Sequence, residues 1–379
     1  MPNFYEFFAG GGMARAGLGA HWTCAFANDF DVKKAVSYRA NWGGNELAVC
    51  DVGSLTTKNL PGCADLAWAS FPCQDLSLAG NGAGLSGKRS GTFWMFWNLM
   101  RGLGKEGRAP RVIALENVCG AITANGGADF AAISCAIVSE GYRLGAVVID
   151  ALHFVPQSRP RLFIVAVKKG LRLPYGVSRS DASVLWHPKN LVEAKSVLPK
   201  KVQEHWVWWD LPAPAPRTLL FADLIEKEPQ GVAWDTESQT EKLLSMMSPL
   251  NGEKVRGAQQ ESRLRVGGLY KRTRSGMQRA EVRFDDVAGC LRTPSGGSSR
   301  QRLLVVEGKH VRSRLISPRE AARLMGLPDD YKLPGNYNEA YHLAGDGLVV
   351  PAVRYLAGSV IEPVVAAAVA SVAREERAA

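Results

Sequence analysis

Four groups of residues in this 379-residue chain could do chemistry, and each adjoins a short apolar run. Phe71-Pro72-Cys73-Gln74 comes after Leu66-Ala67-Trp68-Ala69 and opens into Ala79-Gly80-Asn81-Gly82. A cysteine at the end of a buried strand, with proline fixing the turn, can present its sulfur at a cleft as a nucleophile. Taken alone, it can equally be a packed thiol. Glu116-Asn117-Val118 comes straight after Val112-Ile113-Ala114-Leu115. Desolvation at such a place favours a protonated carboxyl, suited to a heteroaromatic ring nitrogen. An ion pair with a nearby arginine is the other reading. Gln157-Ser158-Arg159-Pro160-Arg161 precedes Leu162-Phe163-Ile164-Val165, and alternation puts Arg159 and Arg161 on one side. Two guanidiniums there suit an anionic or carbonyl-rich ligand, or are the solvated face of an edge strand.

The fourth group is Phe8-Ala9-Gly10-Gly11-Gly12, glycines between a strand and a helix, where backbone can approach a nucleotide-like ligand closely. Asp29 follows about twenty residues later, where an acid can bind ribose hydroxyls. It could instead cap the helix expected at 32–41. Asp51 ends the next strand similarly. No Gly-Lys-Ser/Thr follows the glycines, which argues against phosphate-loop NTP hydrolysis.

The elements that must position these groups are legible in the first 170 residues. Strands are expected at 4–8, 23–27, 47–49, 66–69, 112–115, 146–149 and 162–167. Helices are expected at 13–18, 32–41, 92–102 and 130–140. Such alternation predicts an α/β fold with a mostly parallel sheet covered on both faces. From about residue 173, prolines and the cluster Trp206, Trp208 and Trp209 mark a different, loop-rich region. The indoles could stack on bases, though a small core cluster is the favoured reading. Ser317-Pro318-Arg319-Glu320 then signals a new helix, with serine as cap and proline in the first turn.

Composition sets the outer bounds. The seven scattered cysteines form no CxxC pair and no ligand spacing with histidine, which argues against a disulfide framework or a zinc site. The N-terminal residues lack the pattern of a signal peptide, so a cytoplasmic protein is expected. The apolar run at 364–372 is too short to span a bilayer and reads as part of a packed terminal helix. Of the formal charge of +10, most sits at 251–302, with twelve Lys/Arg against five acids. This is either a footprint for phosphates or a solvated face.

In order and spacing these motifs resemble the cytosine-5 DNA methyltransferase family. The resemblance covers 1–170 and 312–360 and extends to Arg314-Leu315-Ile316-Ser317-Pro318-Arg319-Glu320 and Arg323-Leu324-Met325-Gly326-Leu327-Pro328. It implies a Rossmann-like S-adenosylmethionine-dependent catalytic domain at 1–172 and 343–379. A smaller loop-rich target-recognition domain would occupy 173–310, with a hinge and late-motif helix at 311–342. It also implies that Cys73 adds to carbon 6 of a flipped cytosine and that Glu116 binds ring nitrogen 3. Arg161 would hold the base oxygen, with Arg159 assisting. S-adenosylmethionine would be held by Phe8, Ala9, Gly10, Gly11, Gly12, Asp29, Phe30, Asp51, Val52, Pro72, Gln74 and Asp346. The segment 79–89, rich in glycine, would close over DNA.

The implied partner is double-stranded DNA, bound by a monomer in a prokaryotic or phage-type nucleoid without metal or membrane, with a restriction endonuclease as a functional partner. The alternatives are an RNA cytosine-5 methyltransferase, an inactive DNA-binding regulator and transfer of a non-methyl group. Two positions depart from the family pattern. Met13 stands where another glycine is common, and Asp346 stands where Gly-Asn is usual. A carboxylate at the latter place would favour a cationic sulfonium and amine.

Overall fold

Runs that are apolar at every position, such as 66–69 and 112–115, belong in strands buried on both faces. The computed structural model describes residues 1–72, 91–274, 276–293 and 300–378. The chain divides into two compact units. The first holds Met1–Ile149, Pro160–Pro214 and Val350–Ala379, and the second holds Asp150–Arg159 and Ala215–Val349.

The first unit contains β1 (Asn3–Phe7), β2 (Thr23–Asp29), β3 (Leu47–Val49), β4 (Leu66–Ala69), β5 (Val112–Val118), β6 (Tyr142–Asp150) and β7 (Pro160–Lys168). They form one sheet in the order β3-β2-β1-β4-β5-β7-β6. The pairs from β3 through β5 are parallel, whereas β7 runs antiparallel to β5. This is a Rossmann-like, mixed and mostly parallel α/β sheet. Around it lie α1 (Met13–Leu18), α2 (Val32–Trp42), α3 (Thr92–Lys105) and α4 (Ala128–Ser139). Alternation along β1 sends Tyr5 and Phe7 into a core with Phe93, Phe96 and Trp97 of α3 and Ile133 and Ile137 of α4. Phe4 and Glu6 therefore point to the other face.

One boundary matters for the site. The ladder between β5 and β7 continues past the apolar run, pairing Glu116 with Phe163 and Val118 with Arg161. Glu116 thus lies within the strand rather than after it, held by backbone pairing with β7, whereas the ladder with β4 ends at Leu115.

Later elements of this unit are short: β8 (Ser178–Arg179), α5 (Lys189–Ser196), α6 (Lys200–Gln203) and β9 (Trp208–Trp209). Trp209 is fully buried, and Trp206 packs edge-on against Phe130 and Trp208. These tryptophans form a core cluster.

The second unit holds α7 (Phe221–Leu224), α8 (Glu237–Ser245), α9 (Pro249–Gln259), β10 (Arg265–Arg274), β11 (Met277–Arg283), β12 (Arg302–Glu307), β13 (His310–Leu315), α10 (Pro318–Leu324) and α11 (Tyr337–Asp346). Its strands form an antiparallel sheet ordered β11-β10-β12-β13. The start of α10 follows the sequence signal: Ser317 and Glu320 form a reciprocal capping box. The pair Arg314–Glu320 beside it is wholly buried.

The chain then returns to the first unit with α12 (Val350–Leu356) and α13 (Glu362–Ala378), joined by a π-helical turn at Ala357–Ile361. Tyr337–Ser371 is long and apolar enough to cross a membrane by length and composition, yet 56% of its most apolar window is buried. Val353, Leu356, Ala357, Val360, Ile361 and Val364 are fully buried, as in a core helix. The compact units are drawn elsewhere than the expected functional boundaries. Residues 173–214 fall with the first unit, 311–349 with the second, and 150–159 leave the first unit between β6 and β7.

Candidate active site

The end of β5 carries the densest chemistry in the first unit. Glu116 Oε1 lies 3.3 Å from Arg161 Nε, and both side chains are mostly buried. Arg161 reaches it because β7 runs antiparallel to β5, which sets their ends side by side. A guanidinium against a carboxylate in a partly desolvated place fixes the carboxyl's orientation. Next to it, Asn117 is buried and donates from Nδ2 to the Phe71 carbonyl at 3.3 Å. Its Oδ1 accepts from Val118 N at 2.9 Å. Asn117 therefore ties the end of β5 to Phe71, which precedes Cys73 by two residues in sequence. Sequence reading assigned Asn117 no role; its only signal was its place beside Glu116.

The glycine loop sits between β1 and α1. Phe8 has φ 59°, unusual for a side-chain-bearing residue, and Gly10 and Gly12 have φ 57° and 79°. A Cβ at Gly12 would strike the Trp42 indole nitrogen at 2.3 Å, whereas one at Gly10 would meet nothing closer than 3.9 Å. The backbone is thus packed from behind at Gly12 and open at Gly10. Asp29 Oδ2 accepts from Gly10 N at 2.7 Å and Oδ1 from Asp31 N at 2.8 Å, so this acid clamps the loop. Burial raises its pKa. The cap of α2 is Asp31, not Asp29: Asp31 accepts from Lys33 N and Lys34 N. Asp51 caps the turn Val52–Ser54 through Gly53 N. Ala9, Gly11 and Val52 are buried, Pro72 is half-buried, and Phe30 is 68% exposed at the end of β2.

Arg159 has different partners from Arg161. It belongs to the second unit and is almost fully buried. It donates from Nη1 to Leu291 O at 3.0 Å, and from Nη2 to Gly345 O at 2.9 Å and Gly347 O at 2.8 Å. The expected alternation fails here because Arg159 ends the segment 150–159 and β7 begins only at Pro160. Gln157 is also wholly buried in that unit, donating to Leu324 O and accepting from Leu291 N. Asp346 is exposed at the end of α11, between the two carbonyls that Arg159 holds. Cys73, Gln74 and the expected closing segment 79–89 lie outside the described residues.

Glu6 is a further buried acid near the loop that sequence reading passed over. It is 1% exposed, its Oε1 accepts from Arg15 N at 3.3 Å, and burial pushes its pKa up to about 8. The folded chain therefore keeps a proton that the unfolded chain releases near pH 4.5. Stability should fall as pH rises between those values, and Glu6→Gln, neutral throughout, should remove that part of the fall. Urea unfolding at about pH 5 and about pH 8.5 checks this. A variant with the parent's pH dependence would show that Glu6 is ionised in the fold.

The model of the C-5 cytosine-specific DNA methylase family matches residues 2–362. Among curated proteins, the Type II methyltransferase M.Bsp6I of Bacillus sp. (strain RFL6) is 26% identical over 344 residues, covering 90% of this chain and 91% of that protein. M.HhaI of Haemophilus parahaemolyticus is 24% identical over 358 residues, covering 93% and 92%. Among solved structures, S. pombe Dnmt2 methyltransferase superposes with a TM-score of 0.62 at 17% identity, covering 96% of this chain and 99% of that one. Entamoeba histolytica EhMeth gives 0.60 at 13%, covering 96% and 98%. The structural likeness is one of fold. The match along the sequence goes further, and with it the chain belongs to the C-5 cytosine-specific DNA methylase family, enzymes that methylate cytosine in DNA with S-adenosylmethionine.

Proposed function

We infer that this DNA cytosine-5 methyltransferase works through a covalent adduct of Cys73, with Glu116 and Arg161 activating the base. The observation that carries this reading is the Glu116–Arg161 pair at 3.3 Å on the end of β5, beside Asn117 and its bond to Phe71 O. Carbon 5 of cytosine is a weak nucleophile. Addition of the Cys73 thiolate to carbon 6, with Glu116 hydrogen-bonded to nitrogen 3, places electron density on carbon 5. Arg161 holds Glu116 and the base oxygen. When bound, S-adenosylmethionine supplies the electrophilic methyl group that carbon 5 takes. The carbon 5 proton then leaves to a base, the carbon 6–sulfur bond breaks, and Cys73 departs as thiolate.

The residues suit that cofactor. Open backbone over Gly10, the strand-end carboxylates Asp29 and Asp51 and the exposed Phe30 ring match a nucleoside. In this reading Ala9, Gly11, Val52, Pro72 and Gln74 complete the cradle, and Asp346 favours the cationic end. Asp346→Asn should weaken S-adenosylmethionine binding roughly five-fold, measured by calorimetry. Unchanged affinity would refute that role.

The same reading has the chain act as a monomer on duplex DNA in the cytoplasm, without a metal ion. The Type II designation of M.Bsp6I and M.HhaI supports pairing with a restriction endonuclease. The test is to supply duplex DNA and labelled cofactor, then sequence the modified bases. Label on carbon 5 of cytosine in one sequence context is the expected result, and no label on DNA would defeat the reading.

A further inference from the structure

The glycine loop between β1 and α1 is held at three successive residues. Gly10 N donates to Asp29, Gly12 N donates to Ala9 O at 2.8 Å, and Gly11 O accepts from the Trp42 indole N–H at 2.9 Å. The first partner is a strand-end acid and the second belongs to the turn itself. The third is the last residue of α2, 31 residues away in sequence.

Trp42 reaches the loop through the helix that carries it. Asp31 caps α2, and Ala35, Tyr38 and Trp42 follow at helical spacing along one face. Ala35 and Tyr38 are fully buried in a small core with Ala9, and Trp42 packs against that core. A Cβ at Gly12 would lie 2.3 Å from the indole nitrogen, so ring and loop backbone are in direct contact.

The indole is held in turn. Arg15 Cζ lies 4.9 Å from the centroid of the Trp42 ring. The same guanidinium donates from Nη1 to Tyr38 Oη at 3.0 Å and pairs with Glu46. Tyr38 donates to Glu46 Oε1 at 3.1 Å, and the Glu46 backbone carbonyl accepts from Ala27 N of β2 at 2.9 Å. The Arg15 and Glu46 side chains are only 23% and 15% exposed, which strengthens their attraction. The brace acts at Gly11 and Gly12 and leaves the backbone at Gly10 open.

We propose that Trp42 is a positioning residue for S-adenosylmethionine. Its indole N–H fixes the Gly11 peptide, and Arg15, Tyr38 and Glu46 fix the indole, so the loop stands in its binding shape before the cofactor arrives. The loop needs such a brace because Phe8, Gly10 and Gly12 all sit at positive φ. A loop free to leave that shape binds more weakly, by the fraction of time it spends elsewhere. Phenylalanine can fill the place of the ring but cannot donate to Gly11 O. The inference rests on the reading of this loop as the cofactor cradle.

The test is Trp42→Phe, followed by amide hydrogen exchange on the cofactor-free chain and by calorimetry with S-adenosylmethionine. Amides of residues 9–12 should exchange about three- to ten-fold faster than in the parent, the scale of one lost hydrogen bond. Cofactor affinity should fall by about the same factor, with KM for the cofactor rising and kcat at saturation retained. Arg15→Lys keeps the charge but loses the planar fork over the ring. It should weaken binding by roughly two- to three-fold alone and add little to Trp42→Phe, because both act on one bond. A fully additive loss would take Arg15 out of the brace. If Trp42→Phe lowers the unfolding temperature but leaves loop exchange and cofactor affinity at the parent's values, Trp42 only packs and the proposal falls. A parent chain that binds no S-adenosylmethionine would bring down the cradle reading as well.

Discussion

Cys73→Ala should abolish methyl transfer, with kcat falling by about 10³-fold or more, the scale seen when a covalent nucleophile is removed. The size follows from the chemistry of the base. Without addition at carbon 6, carbon 5 stays part of an aromatic ring and has too little electron density to take a methyl group. A second measurement separates a nucleophile from a packing thiol. Duplex DNA with 5-fluorocytosine at the target should remain bound to the parent chain on a denaturing gel, because fluorine cannot leave carbon 5 as a proton does. Cys73→Ala should give no such band while still binding DNA under native conditions. A variant that methylates or traps like its parent would remove Cys73 from the mechanism.

Glu116→Gln should lower kcat/KM by about 10²- to 10⁴-fold, the range for a positioned acid–base group. Glutamine keeps the shape but can neither carry a proton to nitrogen 3 nor offset the charge of Arg161, 3.3 Å away. Removing one partner of a mostly buried pair leaves the other charge uncompensated, so some loss of stability is expected as well. The two effects part under single-turnover conditions. A chemical role slows methyl transfer at saturating DNA and cofactor, whereas a purely structural role lowers the folded fraction and leaves the rate per folded molecule unchanged. Trapping on 5-fluorocytosine should slow in step with transfer, because the acid acts before or during addition of the thiolate. Transfer at the parent's rate would assign Glu116 to the fold alone.

Arg159 shows why part of the site is invisible in sequence. A strand period places it with Arg161, but the chain leaves the first unit at 150–159 and re-enters at Pro160. Its guanidinium goes to the carbonyls of Leu291, Gly345 and Gly347, up to 188 residues away. Gln157 likewise spends its amide on Leu324 O and Leu291 N. Long-range partners of this sort leave no periodicity behind, since each polar group is satisfied by backbone that any residue could supply. The sheet of β10–β13 was hidden for a related reason. In the β10–β11 hairpin Arg272, Arg279 and Arg283 lie on the outward face and Lys271 shares the inward face with Leu269, Ala280 and Val282, so charge obscured the alternation that marks a strand.

By itself the sequence determined the alternating α/β order of the first 170 residues, the nearness of Glu116, Asp29 and Asp51 to strand ends, and the cap of α10. Local hydrophobic period and capping chemistry are enough for these. It also determined the family, because several short motifs in fixed order are far more specific than any one of them. Only tertiary structure decided that Arg161 stands against Glu116 while Arg159 holds backbone carbonyls of its own unit, that Asn117 ties β5 to Phe71, and that Glu6 is buried with its pKa raised. Those facts depend on which strand ends lie side by side and on how much water is excluded. Antiparallel β7 and the packing of the sheet set both, and no local pattern encodes either.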